Sequence, residues 1–442
     1  MMASVWNHNK SRSSKLCCKH KDLRFSSSYG MILRVLSCTG INLFEEREKK
    51  FRELAFRIFG ICFAVFLHVS SVDYWIMSYF NLKSNWHEYQ VVLSLVFSNS
   101  TSLLLWHVLY CRRRYLRILL EKMEAVCDSH LVVTLFEKTL INFIILLGIF
   151  IVPLTYSAIS VYLMNQDHTS DYYTFFTYGH KDNFTTFMNV YLFSKSLMTN
   201  LLDPIFTSCV TFIYCLLCYR SCRLLIQFRR RIVNLLSSGS KPTRDVLKQL
   251  IIDYGRLCRV LERLQCVFSL PSFLLTIVDV MSSFTILASA LLYSPEEITG
   301  PMIAENAFTL MTSAVLLITL IAFAAQIPVT MSTIRMCLQK IQEKRVVSES
   351  QGALEDSRFR LLQILKERPL VILSGCDIIY FTRITIVTVL GTLLTYGLLV
   401  KDEHPERGHA QKKTWVGSRF YSDFTFRHHS CGYSVPSFYE RE

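Results

Sequence analysis

Charge is what this sequence has little of. Asp, Glu, Lys and Arg make up 19% of its 442 residues, where a soluble globular protein carries about a quarter. Glycine (15) and proline (10) are sparse, which excludes collagen-like and low-complexity chains. A hydrophobic share of 51% excludes intrinsic disorder. Fifteen cysteines over this length exclude a small disulfide scaffold. Catalytic signatures are missing too: there is no phosphate-binding glycine loop, no HExxH helix and no nucleophile elbow. The first 30 residues hold no apolar run, so we expect no cleavable signal peptide and insertion directed by the first true span.

What is present is apolar length. Mean hydropathy is +0.31, and a bilayer core about 30 Å thick needs roughly 20 apolar helical residues to cross it. Seven segments qualify: Ile58–Phe80, Gln90–Cys111, Thr139–Met164, Val190–Tyr219, Val267–Tyr293, Asn306–Thr333 and Leu373–Val400. The last is more safely read as Ile384–Val400, because Asp377 and Arg383 interrupt its start. Buried core helices of a soluble enzyme are a poor alternative, since seven all-round apolar runs in one chain exceed what a water-soluble core holds. The expected fold class is therefore all-α, a polytopic membrane protein of seven transmembrane helices.

Charge placement gives an orientation. The connections 1–57, 112–138, 220–266 and 334–372 hold 37 Lys and Arg against 17 Asp and Glu, a net of +20. The alternate connections 81–89, 165–189 and 294–305 hold 2 against 7, a net of −5. Cytoplasmic loops carry the Lys/Arg excess, so the amino terminus is expected in the cytoplasm and the chain multi-pass in the plasma membrane. The formal +14 then reads as topology rather than as a nucleic-acid surface, and no nucleic-acid partner is expected. Asn183-Phe184-Thr185 is a glycosylation acceptor in an outer loop, whereas Asn99-Ser100-Thr101 matches the same pattern inside a span. None of the cysteines lies in the three outer loops, so the outer-loop disulfide of most G-protein-coupled receptors has no partners here.

Ionisable residues inside a membrane are costly and mark functional hypotheses. Asp203 precedes Pro204 in the fourth segment, and Asp279 lies mid-span in the fifth beside Ser282, Ser283 and Thr285. Two readings stand for each: lining of a ligand cavity, or structural pairing between helices. Tyr156, Tyr162, Asn306 and Thr309 complete a candidate outward pocket for a small organic ligand, with Tyr156, Asp203, Asp279, Ser283 and Asn306 as its core set. Asp73, near Tyr74, Trp75 and Tyr79, reads as an interfacial residue of an aromatic belt. Cys215, Cys218 and Cys222 share a helix face, and packing is preferred there over zinc for want of further ligands. No metal and no cofactor are expected. Residues 220–266 and 353–371 carry helical apolar periodicity, so helical extensions on the inner side are expected to form an anchor region against each other or against neighbouring subunits.

The final segment carries the most specific pattern. Arg368-Pro369-Leu370, Ser374-Gly375-Cys376, Phe381-Thr382-Arg383 and Gly391-Thr392-Leu393-Leu394-Thr395-Tyr396 resemble the last span of arthropod gustatory receptors, and the likeness in length and topology covers about residues 40–400. The resemblance implies a ligand-gated, nonselective cation channel opened by a small-molecule tastant. It implies a homo- or hetero-tetramer with related receptors, surrounded by membrane lipids, in which the last span lines a pore for permeant cations. Thr388, Gly391, Thr392, Thr395 and Tyr396 would then line that pore. The residues themselves agree, since Thr385, Thr388, Thr392, Thr395 and Tyr396 form a hydroxyl stripe on an apolar helix.

The ending departs from the family pattern. After Thr-Tyr the family continues with five apolar residues and Gln-Phe, whereas here Asp402 and Glu403 stand in those two places and 42 residues follow Val400. The expected organisation is a cytoplasmic segment 1–57, a seven-helix channel domain 58–400 and an atypical tail 401–442 arising from an unspliced intron or a wrong last exon. The alternatives are a seven-span G-protein-coupled receptor, which requires an outside amino terminus, and a transporter, which requires repeated halves.

Overall fold

The computed structural model describes residues 36–37, 39–41, 50–84, 89–127, 151–166, 177–178, 186–200, 204–237, 244–292, 300–348, 363 and 367–402. Asn183, Asp203, residues 139–150 of the third expected span, most of 353–371 and residues 403–442 lie outside them. Among the described residues eight helices follow in order: α1 (Lys50–Ser84), α2 (Tyr89–Cys127), α3 (Val152–Gln166), α4 (Thr186–Asn200), α5 (Phe206–Ser237), α6 (Arg244–Leu292), α7 (Gly300–Ser348) and α8 (Arg383–Asp402). A two-stranded antiparallel hairpin, β1 (Ser374–Gly375) and β2 (Ile379–Tyr380), precedes α8. Helices α1, α2, α5, α6 and α7 are long and apolar enough to cross a bilayer, while α3 and α8 hold shorter apolar stretches, Val152–Leu163 and Arg383–Thr395.

The fourth expected span is described on either side of residues 201–203, which lie outside the described residues. Helix α4 ends at Asn200, and α5 starts at Phe206 after a π turn at Pro204–Ile205. Proline has no N–H to give the carbonyl four residues earlier. Thr207 and Ser208 turn their hydroxyls back onto the Pro204 carbonyl. A second proline, Pro271, lies inside α6 and leaves the Val267 carbonyl without its helical donor. Arg112 of α2 supplies it: one guanidinium nitrogen donates to the carbonyls of Val267 (3.0 Å) and Cys266 (2.8 Å). An arginine of one helix thus compensates a proline on another.

Helix α5 is the centre of the bundle, with Phe206, Tyr214, Leu217, Cys218 and Leu225 almost fully buried. Cys215, Cys218 and Cys222 are buried with them, and Cys218 and Cys222 pack within the apolar core. Helices α2 and α6 meet along a seam of small polar residues, Ser94 with Thr285 (2.6 Å) and Ser98 with Ser282 (3.1 Å), as expected where lipid offers no hydrophobic drive for association. Asn99 is buried and accepts from Ser71 (2.8 Å), a place no glycan reaches. The 49-residue helices α6 and α7 are about 74 Å long at 1.5 Å per residue, more than twice a bilayer core. Their extensions pack on the same side: Phe228 stacks on Tyr254 at 5.2 Å, and Arg335 donates to the Arg368 carbonyl at 2.7 Å.

Candidate ligand site and last helix

Helix α3 packs against α4 and α7. Its Tyr156 is buried and stacks on Phe308 of α7, with centroids 4.3 Å apart and planes at 9°. One position on, Ser157 accepts from Asn200 of α4 at 3.0 Å. Phe308, which sequence reasoning passed over, is therefore the aromatic partner of Tyr156. Asn306 lies two positions earlier, about 200° round the helix, half-buried on another face of α7. Tyr162 is 62% exposed.

Asp279 and Ser283 lie elsewhere. Both are buried on α6, Ser283 donates to the Asp279 carbonyl at 2.8 Å, and the Asp279 side chain is within electrostatic reach of Cys215 on α5. Their neighbours are the hydroxyls of the α2–α6 seam, so the pair sits in the helical interior while Tyr156 sits on the α3–α7 side. The four described members of the set expected from sequence are thus not gathered in one place, and Asp203 lies outside the described residues.

A third polar cluster joins α1, α4 and the turn at Thr177–Tyr178. The Lys195 ammonium is 3.6 Å from Asp73 Oδ2, 3.6 Å from the centroid of the Tyr178 ring, 5.5 Å from that of Tyr191, and donates to Tyr191 Oη at 3.3 Å. Tyr178 donates its phenol to Asp73 Oδ1. Burial and this bond push the Tyr178 phenol well above the usual tyrosine range. Asp73 is therefore an ion-pair partner of Lys195. Lys195 and Tyr178 were the missing half of the signal, and their partnership joins residues over 100 positions apart.

Helix α8 starts from a clamped hairpin. Ser374 receives the Gln265 side-chain amide on its carbonyl (3.0 Å) and gives its own N–H to Gln265 Oε1 (2.9 Å). The Cys376 N–H reaches the Ser269 hydroxyl at 3.0 Å. Cys376 and Asp377 take left-handed φ values of 53° and 58° to turn the chain, and a Cβ on Gly375 would stand 3.1 Å from Phe273 Cα. Thr385 then caps the helix, accepting from the Thr382 N–H at 3.3 Å and donating to the Tyr380 carbonyl at 2.7 Å, so it leaves the hydroxyl stripe. Thr388, Gly391, Thr392 and Thr395 remain exposed. The three threonines donate to the carbonyls of Ile384, Thr388 and Gly391 in their own helix, leaving oxygen lone pairs outward. Ile384, Val387 and Leu394 are 75%, 70% and 67% exposed beside them, while Ile386 and Val389 pack on the core. The backbone of Tyr396 continues this helix.

No protein-family model matches this chain, and no curated protein sequence does. Solved structures do. The insect olfactory receptor OR5 from Machilis hrabei superposes with a TM-score of 0.61 at 14% identity, covering 84% of this chain and 96% of that one. The same receptor in complex with eugenol gives 0.59 at 13% identity over the same shares. The chain has the fold of that helical, polytopic receptor.

Proposed function

We propose that this protein is a chemosensory receptor and a subunit of a ligand-gated, nonselective cation channel opened by a small organic molecule. The observation that carries the reading is a fold shared with an insect olfactory receptor over 84% of the chain. The outward face of α8 supports it, since hydroxyl oxygens and apolar side chains there are exposed among the described residues. Four copies with α8 at the axis would line a pore with Thr388, Gly391, Thr392, Thr395 and Tyr396, where hydroxyl oxygens replace part of a cation's hydration and apolar rings control wetting. Tyr156 with Phe308 is the favoured ligand contact, and Asp279 with Ser283 would serve the same bundle from its interior. Asp203 and Asn306 stay with the proposed ligand site and Asn183 with proposed glycosylation. Taste rather than smell is favoured by the Thr395-Tyr396 pattern of the last span.

The amino terminus is proposed to be cytoplasmic and the membrane the plasma membrane. Expression of the full chain with an amino-terminal tag, tested for antibody access in intact and then permeabilised cells, separates this from a G-protein-coupled receptor. Staining only after permeabilisation is expected, and staining of intact cells sinks the proposal. Whole-cell recording against a panel of small organics then tests gating. Inward cation current on exposure to a ligand is expected, and its absence in surface-positive cells, with and without related co-receptors, counts against a channel.

A further inference from the structure

The cluster around Lys195 has the composition of a cation-recognition site. A carboxylate (Asp73), the face of one aromatic ring (Tyr178) and a phenol oxygen with a second ring beyond it (Tyr191) converge on a single ammonium group. Carboxylates and aromatic faces are the groups that hold alkylammonium ions, and the attraction strengthens when water is excluded. Lys195 is 4% exposed, and the cluster rests on buried Tyr74, Met77, Val161 and Leu192. The turn at Tyr178 is held in a left-handed conformation, φ 55°, with Thr177 buried beside it.

We propose that Asp73, Tyr178 and Tyr191 form an ammonium-binding site that Lys195 occupies as a tethered ligand. Lys195 reaches the site from α4, Asp73 from α1 and Tyr178 from the connection between α3 and α4, so the ammonium fastens that connection to two helices. The tether also masks the carboxylate. Amines from outside find Asp73 already neutralised, and removal of the lysine uncovers a site for a primary alkylammonium of the same length as its side chain.

Thermal unfolding of the full-length protein in detergent tests this without any assumption about gating. Lys195→Ala should melt below the wild type, and added n-butylammonium should raise its Tm saturably, by roughly 2–4 °C. The wild type should not respond, nor should Lys195→Ala combined with Asp73→Asn, and 1-butanol at the same concentration should do nothing. No saturable rise, or an equal rise with butanol or without Asp73, overturns the proposal. If Lys195→Ala does not yield folded protein, Lys195→Met, Asp73→Asn and their combination carry the test. Asp73→Asn should be the more damaging single change, because it strands an ammonium in the interior whereas Met leaves a carboxylate that is a third exposed. The combined variant should melt no lower than Asp73→Asn alone. Additive losses, or a larger loss from Lys195→Met, overturn it.

Discussion

Single atoms decide several positions. Gly375 is required by contact: a Cβ there meets the Phe273 backbone at 3.1 Å. Gly375→Ala is expected to cost about 1–3 kcal/mol through overpacking, read as a lower Tm, whereas Gly391→Ala, with open space around its Cβ, should leave the Tm of the solubilised subunit unchanged. Gly40, at φ 76°, touches the backbone of Gly60 in the same way while Trp106 donates to the Thr39 carbonyl at 2.9 Å. At the proposed ligand site, Phe308→Ala removes the stacking partner of Tyr156 and is expected to raise the half-activating ligand concentration about 10-fold, consistent with loss of an aromatic pair plus buried area. Phe308→Tyr should stay close to wild type, as measured by dose–response currents. Candidate residues were legible one at a time, because a charge or hydroxyl in an apolar run stands out. Their partners were not: nothing in the spacing of Tyr156 points to Phe308, and nothing around Asp73 points to Lys195.

Elements depend on compensation between helices. Pro271 breaks a hydrogen bond in α6 and Arg112 of α2 repairs it from outside. Arg112→Met should therefore cost about 1–3 kcal/mol by leaving the Val267 carbonyl unsatisfied. Adding Pro271→Ala should recover part of that loss by restoring the N–H, and thermal unfolding of the two variants and their combination measures the coupling. Likewise Gln265 fixes the hairpin that starts α8; Gln265→Ala is expected to lower Tm and to alter the current–dose curve more than Gln265→Asn does. Helix existence followed from apolar run length, and the helical extensions within 220–266 from periodicity. The hairpin at Ser374–Tyr380 did not, because it depends on Gln265 and Ser269 of the distant helix α6.

At the scale of the molecule, the described residues of one subunit leave an apolar, hydroxyl-bearing face of α8 exposed, and the proposed assembly covers it with three further copies. Thr392→Cys is expected to make ligand-evoked current sensitive to a water-soluble thiol reagent, with more than half the current lost. An unchanged current under complete labelling argues against α8 as the pore lining. The native mass of the solubilised protein should correspond to four chains. The sequence by itself determined that this is an all-α, multi-pass membrane protein, since run length against bilayer thickness admits few alternatives and burial in lipid is a property of each segment alone. Its charge asymmetry supplied the proposed orientation, and one short pattern near its end supplied the proposed family. Only the tertiary structure decided which polar groups meet: Asp73 with Lys195, Arg112 with Val267, Gln265 with Ser374. Those meetings span 109 to 155 positions of chain, and their geometry is set by how whole helices pack, which no local window of residues contains.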